Sequence, residues 1–271
     1  CVGAPSPGGG TVKVGIYPYA PEVGAAVAER SGQGHDILWG VCIDGPEELI
    51  GLSCALDDEQ QLRIGRGTGT HPVKLLPERA AEQIKALIPQ EFGTFELAIP
   101  ALQFFIQHHP PIPHAAVVGG SHIGEVLVRQ LKALGWRVSV IDPRAAFAPP
   151  ERFRTADKLL HLWPEEAFDE LGIAAGQAAA RHTAVAAITH NEQIDDAAVA
   201  VGLESGCFYV GVLGSRRTFA ARRERLQSKG FSAEQLERVH GPIGLDIGAQ
   251  SPEEIALAIA AQMVQDYRKG R

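Results

Sequence analysis

The run AAVVGGSHIGEVLVRQLKALGWRVSVID, Ala115 to Asp142, places glycines where an apolar segment meets an amphipathic one. Glycines at such a junction permit a tight turn, close backbone approach to a phosphate and close helix–strand packing. Gly119 takes the first of these positions and Gly124 the third, with Gly120 beside the first. Ser121 stands at the second, where a side chain narrows the approach of a diphosphate. Its hydroxyl is suited instead to donate to a phosphate oxygen, with helix N-terminal amides behind it. His122 can donate to the same phosphate or pack over the turn. Asp142 closes the second strand, where an acid accepts from ribose hydroxyls, and Arg144 follows within reach of a phosphate. The expectation is a turn that cradles a phosphate-bearing ligand.

Further groups fall at the ends of later apolar runs. His190 ends TAVAAITH, where an imidazole can bind ligand, exchange a proton near neutral pH, or simply close the loop. Gly214 and Ser215 end FYVGVLG and open a basic helix, so the Ser215 hydroxyl and nearby amides can receive an anion or merely cap the helix. Arg216 adds a guanidinium that matches phosphate bidentately. Arg217 reads as a solvated helix residue. In GPIGLDIGAQ, Asp246 can brace backbone amides or meet a ligand. Cys207 precedes an apolar strand and reads as a small buried hydrophobe. No His, Cys or carboxylate set has metal-ligand spacing, so no metal residue is expected.

These positions need a scaffold. After residue 113, short apolar runs alternate with amphipathic segments: AAVVGG, RVSVID, KLLHLW, TAVAAITH and FYVGVLG as strands, each joined to the next through a helix. That rhythm describes a parallel sheet covered on both faces. A last helix opens with Ser251, Pro252 and Glu254, a capping box with proline at its first position. Before residue 107, TVKVGIYPY, HDILWGVCI and EELIGLSCAL read as strands and PERAAEQIKALI as a helix, a smaller α+β domain. Between the two, QHHPPIP (107–113) carries Pro110, Pro111 and Pro113, which stiffen a linker. The reading is therefore an N-terminal domain over 1–106, a linker over 107–113 and an α/β domain over 114–271.

Composition limits the partners. The 271 residues are 45% hydrophobic with a net charge of −7. An acidic chain does not suit general nucleic-acid binding, and no apolar run reaches the ~18 residues of a membrane helix. Four scattered cysteines form no CxxC pair, which fits a reducing cytoplasm. The chain opens CVGAPSPGGG without a Met, which reads as a processed or incomplete start.

VVGGSHIG, THNEQID, FYVGVLGSRRT and GPIGLDIGAQSPEEIALAIAAQMV occur in that order. Together they resemble the C-terminal Rossmann domain of the XdhC/CoxI family, the xanthine dehydrogenase accessory proteins. The resemblance implies a Rossmann-like domain joined to an N-terminal one. It also implies a role in binding molybdenum cofactor (molybdopterin) and delivering it to a molybdenum hydroxylase such as xanthine dehydrogenase. A cysteine desulfurase as second partner and a homodimer belong to the same expectation. The family's N-terminal GSxPRxxGxxM and GGCxE patterns are absent, so its cysteine is carried onto neither Cys42 nor Cys54. The competing reading is an NAD(P)-dependent oxidoreductase on the same fold. That reading lacks a second acid–base group paired with His190, and an accessory protein without turnover is favoured over an enzyme.

Overall fold

In a computed structural model the residues described are 2–5, 11–14, 20–32, 35–45, 47, 49–57, 62–65, 94–99 and 102–269. They form two compact units, Cys1–Pro111 and Ile112–Arg271.

In the first unit β1 (Val2–Pro5) and β2 (Thr11–Val14) pair antiparallel. After α1 (Pro21–Gly32) come β3 (Ile37–Asp44), β4 (Ser53–Asp57), β5 (Leu62–Gly65), β6 (Thr94–Ile99) and β7 (Leu102–His109). These five strands make one antiparallel sheet in the order β5-β4-β3-β7-β6. Alternation decides which side of β7 faces inward: Phe104 and Ile106 are buried, while Gln103 and Gln107 are exposed. Val23 of α1 packs on Ile37 and Ala55, and Arg30 Nε donates to Asp57 Oδ2 at 2.6 Å. The smaller α+β unit is as expected. Gln107–His109, however, lie inside β7, so only Pro110–Pro113 run outside the two sheets. Prolines stop the strand; the two histidines before them do not. The helix expected over 77–88 lies outside the described residues.

The second unit is the expected parallel sheet. Its elements run β8 (His114–Val118), α2 (His122–Ala133), β9 (Arg137–Ile141), β10 (Lys158–Leu160), α3 (Pro164–Leu171), α4 (Ala178–Arg181), β11 (Thr183–Ala187), α5 (Glu192–Ser205), β12 (Tyr209–Val212), α6 (Arg216–Ser228), α7 (Ala233–Glu237), β13 (Val239–His240) and α8 (Pro252–Lys269). Six strands lie in the order β10-β9-β8-β11-β12-β13, all parallel. Ala115 and Val117 of β8 turn to one face, under α2 and α8. Ala116 and Val118 turn to the other, under α3, α5 and α6. A strand apolar on both sides is what two covered faces demand. The capping box of α8 forms as read: the Glu254 amide donates to Ser251 Oγ at 3.2 Å, and the Ser251 amide to Glu254 Oε2 at 3.0 Å.

One crossover departs from expectation. No helix joins β9 to β10; residues 143–157 form a chain of turns. Pro143, Pro149 and Pro150 leave no room for an uninterrupted helical pattern. No helix among the described residues is long and apolar enough to cross a membrane.

Candidate anion site at the carboxyl ends of the parallel strands

In open α/β sheets ligands lie beyond the carboxyl ends of the strands, at the point where strand order reverses. Here that point lies between β8 and β11. Backbone bonding continues just past these strands, by one residue after β8, β11 and β12 and by three after β13, and fixes where the loops begin. Gly119 N donates to Ile141 O (2.9 Å), Ile188 N to Val118 O (2.8 Å), Leu213 N to Ala187 O (2.9 Å) and Ile243 N to Val212 O (3.0 Å). The Gly119, His190, Ser215 and Asp246 loops therefore spring from one edge.

Gly119 has φ +132°, and a Cβ there would press on the Ile188 backbone at 2.9 Å; a Cβ on Gly124 would overlap the Gly119 carbonyl. Both glycines meet the steric demands read from sequence. Ser121 Oγ accepts from the Gly124 amide at 3.1 Å and so caps α2, leaving its O–H to donate. His122 is exposed but not aimed at open solvent: its nitrogens lie 4.0 Å from Glu125 and 3.7 Å from Glu253, two acids beside the expected phosphate position.

Asp142 does not wait for a ribose. Its side chain has 0% exposure, and both oxygens are taken: Oδ2 accepts from the Gly120 amide at 2.9 Å and from Arg144 Nη2 at 2.9 Å. Oδ1 accepts from the Arg144 amide at 3.0 Å and Nε at 2.9 Å. Burial opposes its ionisation, but the Arg144 fork and the two amides outweigh that and hold the carboxyl below its usual range. Arg144, expected to reach a phosphate, also lies 4.2 Å over the Phe147 ring. The strap over residues 143–153 thus closes on the glycine turn. A Cβ on Gly120 would overlap the Phe147 carbonyl. Arg152 Nη1 donates to Gly120 O at 3.2 Å and to Phe147 O at 3.3 Å, and its Nε to Glu125 Oε2 at 2.9 Å.

His190 is the single non-glycine residue with positive φ among the described residues, at +61°. Its neighbours over-determine that conformation. The Thr189 amide and hydroxyl both donate to Asp195 Oδ1, at 3.0 and 2.7 Å. The Asn191 amide donates to Thr189 Oγ1 at 3.0 Å, and Asn191 Oδ1 caps α5. The imidazole is left exposed. Such strain clusters at functional positions. His190→Gly is expected to stabilise the fold by about 0.5–1 kcal/mol, the left-handed penalty less glycine's extra chain entropy. His190→Ala keeps the strain and should leave stability unchanged. Urea midpoints of the two variants decide it.

The helix N-termini at this edge differ in charge. The first turn of α2 carries Glu125 and that of α5 carries Glu192 and Asp195. The first turn of α6 carries no acid; it opens with Arg216 and Arg217, both exposed. Cations at the positive end of a helix oppose its dipole, an arrangement that an anion relieves. Ser215 Oγ caps this helix, accepting from the Thr218 amide at 3.1 Å and lying 2.8 Å from Thr218 Oγ1. Gly214, φ +149°, turns the chain into it.

Residues 116–263 match the pattern of the XdhC Rossmann domain. The chain belongs to the XdhC family. Two curated relatives align over 165 residues, 61% of this chain: the YqeB protein of Escherichia coli K12 at 29% identity, and a protein of Bacillus subtilis 168 named as a probable subunit of xanthine dehydrogenase at 30%. The chain spans 29% and 46% of their respective lengths. The molybdenum cofactor insertion chaperone PaoD of E. coli K12 is 30% identical over 81 residues, 30% of this chain and 26% of PaoD. The fold also resembles the crystal structure of a xanthine dehydrogenase from Bacillus halodurans, with a TM-score of 0.62 and 22% identity over 91% of this chain and 64% of that one.

Several residues of this XdhC domain's site edge escape a reading by motif. Arg222 is one of several arginines on α6 with no motif to single it out, yet it is 2% exposed and its Nε donates to Asp196 Oδ1 at 2.5 Å. Arg225 Nε donates to Asp196 Oδ2 at 2.8 Å. Arg152, Glu125 and Phe147 build the strap's contacts from positions with no motif at all. Asp246 is exposed in the loop after β13, and that loop is tied down beside it by Gly244 N donating to Gln262 Oε1 at 2.8 Å.

Proposed function

We propose that this chain binds molybdenum cofactor at the carboxyl edge of its parallel sheet and hands it to a molybdenum hydroxylase of the xanthine dehydrogenase type. The observation that carries the site is the acid-free, doubly cationic start of α6. Support for the class comes from the family and from two relatives, one named for xanthine dehydrogenase and the other as a molybdenum cofactor insertion chaperone.

The residues present fit one end of the cofactor. Its phosphate suits Ser215, the α6 amides, Arg216 and Arg217. His190 stands on the neighbouring loop as a donor or acceptor for a polar ring. The metal end finds no thiolate among the described residues. Burial pushes the thiols of Cys54 and Cys207 up to about 12 and that of Cys42 upward as well. The cofactor brings its own dithiolene ligands to molybdenum, and this chain's part is to hold and shield it. A cysteine desulfurase would then deliver sulfur to the cofactor itself rather than through one of those cysteines. A homodimer completes the proposal, to be tested by light scattering on the eluted protein.

The NAD(P) reading loses its ribose acceptor, because Asp142 is engaged, and its diphosphate path, because the strap lies on Gly120. The test is equilibrium binding of molybdenum cofactor with NAD as competitor. Binding that NAD does not displace, weakened at least tenfold by Arg216→Glu, is expected, since a charge-assisted contact contributes about 1.5–3 kcal/mol. Ser121→Arg is expected to abolish binding with the fold intact. NAD binding without any response to molybdenum cofactor defeats the proposal.

A further inference from the structure

We propose a second ligand site at the opposite, amino end of the parallel strands, shaped for a small hydroxycarboxylate. A cavity of about 160 Å³ opens there between the sheet and the segment joining α3 to α4. Its size is close to that of the ~150 Å³ cavity that admits benzene, so a molecule of about six heavy atoms fills it.

Three buried side chains on adjacent strands form the polar floor: Ser139 on β9, His114 on β8 and Thr183 on β11. Register puts all three on one face, since Thr183 pairs with His114 and Ser139 with Ala116, two residues on from His114. Their proton order follows from one bond. Thr183 Oγ1 donates to the Ala179 carbonyl at 2.8 Å, so toward His114 Nδ1, 3.3 Å away, it can only accept. Nδ1 therefore carries the ring hydrogen, and the bare Nε2 accepts from Ser139 Oγ at 2.9 Å. Burial keeps the ring neutral, its pKa pushed down to about 3.

With its proton committed to His114, Ser139 presents lone pairs to the cavity: it accepts and does not donate. Arg137 and Lys158 line the same space, as do the apolar Leu171, Ile173 and Ala179. Asp157 lines it too, but its carboxylate is held by Lys132 Nζ at 2.8 Å and the Val138 amide at 2.7 Å. The complement of these walls is a carboxylate toward the two cations, a short hydrocarbon body, and a hydroxyl whose hydrogen meets Ser139. A hydroxyl suits that place better than an ammonium, which would add a third positive charge. The site is independent of what the carboxyl edge binds.

Lactate tests this, with propionate as the same molecule less its hydroxyl, by calorimetric titration of the full chain. Lactate is expected to bind about tenfold tighter than propionate, the worth of one buried hydrogen bond. Ser139→Ala should make the two acids bind alike. Ala179→Leu fills the cavity and Lys158→Glu reverses a charge at a solvent-exposed position; neither acid should bind to these, and both variants keep the test open if Ser139→Ala fails to fold. Equal affinity of the parent chain for the two acids, no heat from either, or lactate binding untouched by Ala179→Leu would overturn the proposal.

Discussion

Arg222→Met is expected to destabilise the second unit by about 3–5 kcal/mol, the cost of leaving a buried charge without its partner. Arg222 is the cation on which the buried acids under the His190 loop depend. Its Nε serves Asp196, its Nη2 stands 3.6 Å from Asp195 Oδ2, and its Nη1 donates to the Leu213 carbonyl at 3.5 Å. Asp196 keeps Arg225, which is a third exposed; Asp195, at 1% exposure, keeps its Thr189 hydrogen bonds but loses its ion pair with Arg222. Burial already raises the Asp195 carboxyl above the usual range, against the pull of Thr189 and Arg222. Loss of Arg222 raises it further. An acid whose folded pKa lies above its unfolded one costs nothing below the unfolded value, and its full penalty falls above the folded one. The loss should therefore be greater at pH 7 than near pH 4 in urea titrations. The double variant Arg222→Met with Asp195→Asn, which removes the stranded charge, should recover part of the deficit. An Arg222→Met chain as stable as the parent at pH 7 would show that the network carries little.

Asp142→Ala ranks second, with an expected loss of about 2–4 kcal/mol. Charged hydrogen bonds to Arg144 disappear, and the buried Gly120 amide is left without an acceptor. The strap should then loosen, becoming the first segment cut by protease, because Arg144 no longer anchors its start. Asp142→Asn supplies the pH test. Because the folded carboxyl is held below its usual range, the stability it contributes is fully present above the ordinary carboxyl pKa of about 4. It is lost as pH falls through the lower folded value. The parent should therefore weaken on acidification below about pH 4, and the asparagine variant should show a flatter acid limb.

The sequence by itself determined the architecture of the second unit. Apolar runs separated by amphipathic ones dictate a sheet with two covered faces, and Gly119, Gly124 and the Ser251–Glu254 box dictate their own local geometry. Local chemistry suffices for these because the forces that set them act within a few residues. Tertiary structure alone decided what the polar residues do. Asp142 had the position of a ribose acceptor, but the proline-broken crossover brought Arg144 and Phe147 back across the turn and used the carboxylate internally. Arg222 sits in a run of arginines on α6, and its burial depends on Asp196 of α5, a partner on another helix. His114 opened a strand as an ordinary histidine until register set Ser139 and Thr183 on either side of it. Which charge meets which is fixed by pairing across strands and helices, and no spacing along the chain encodes it.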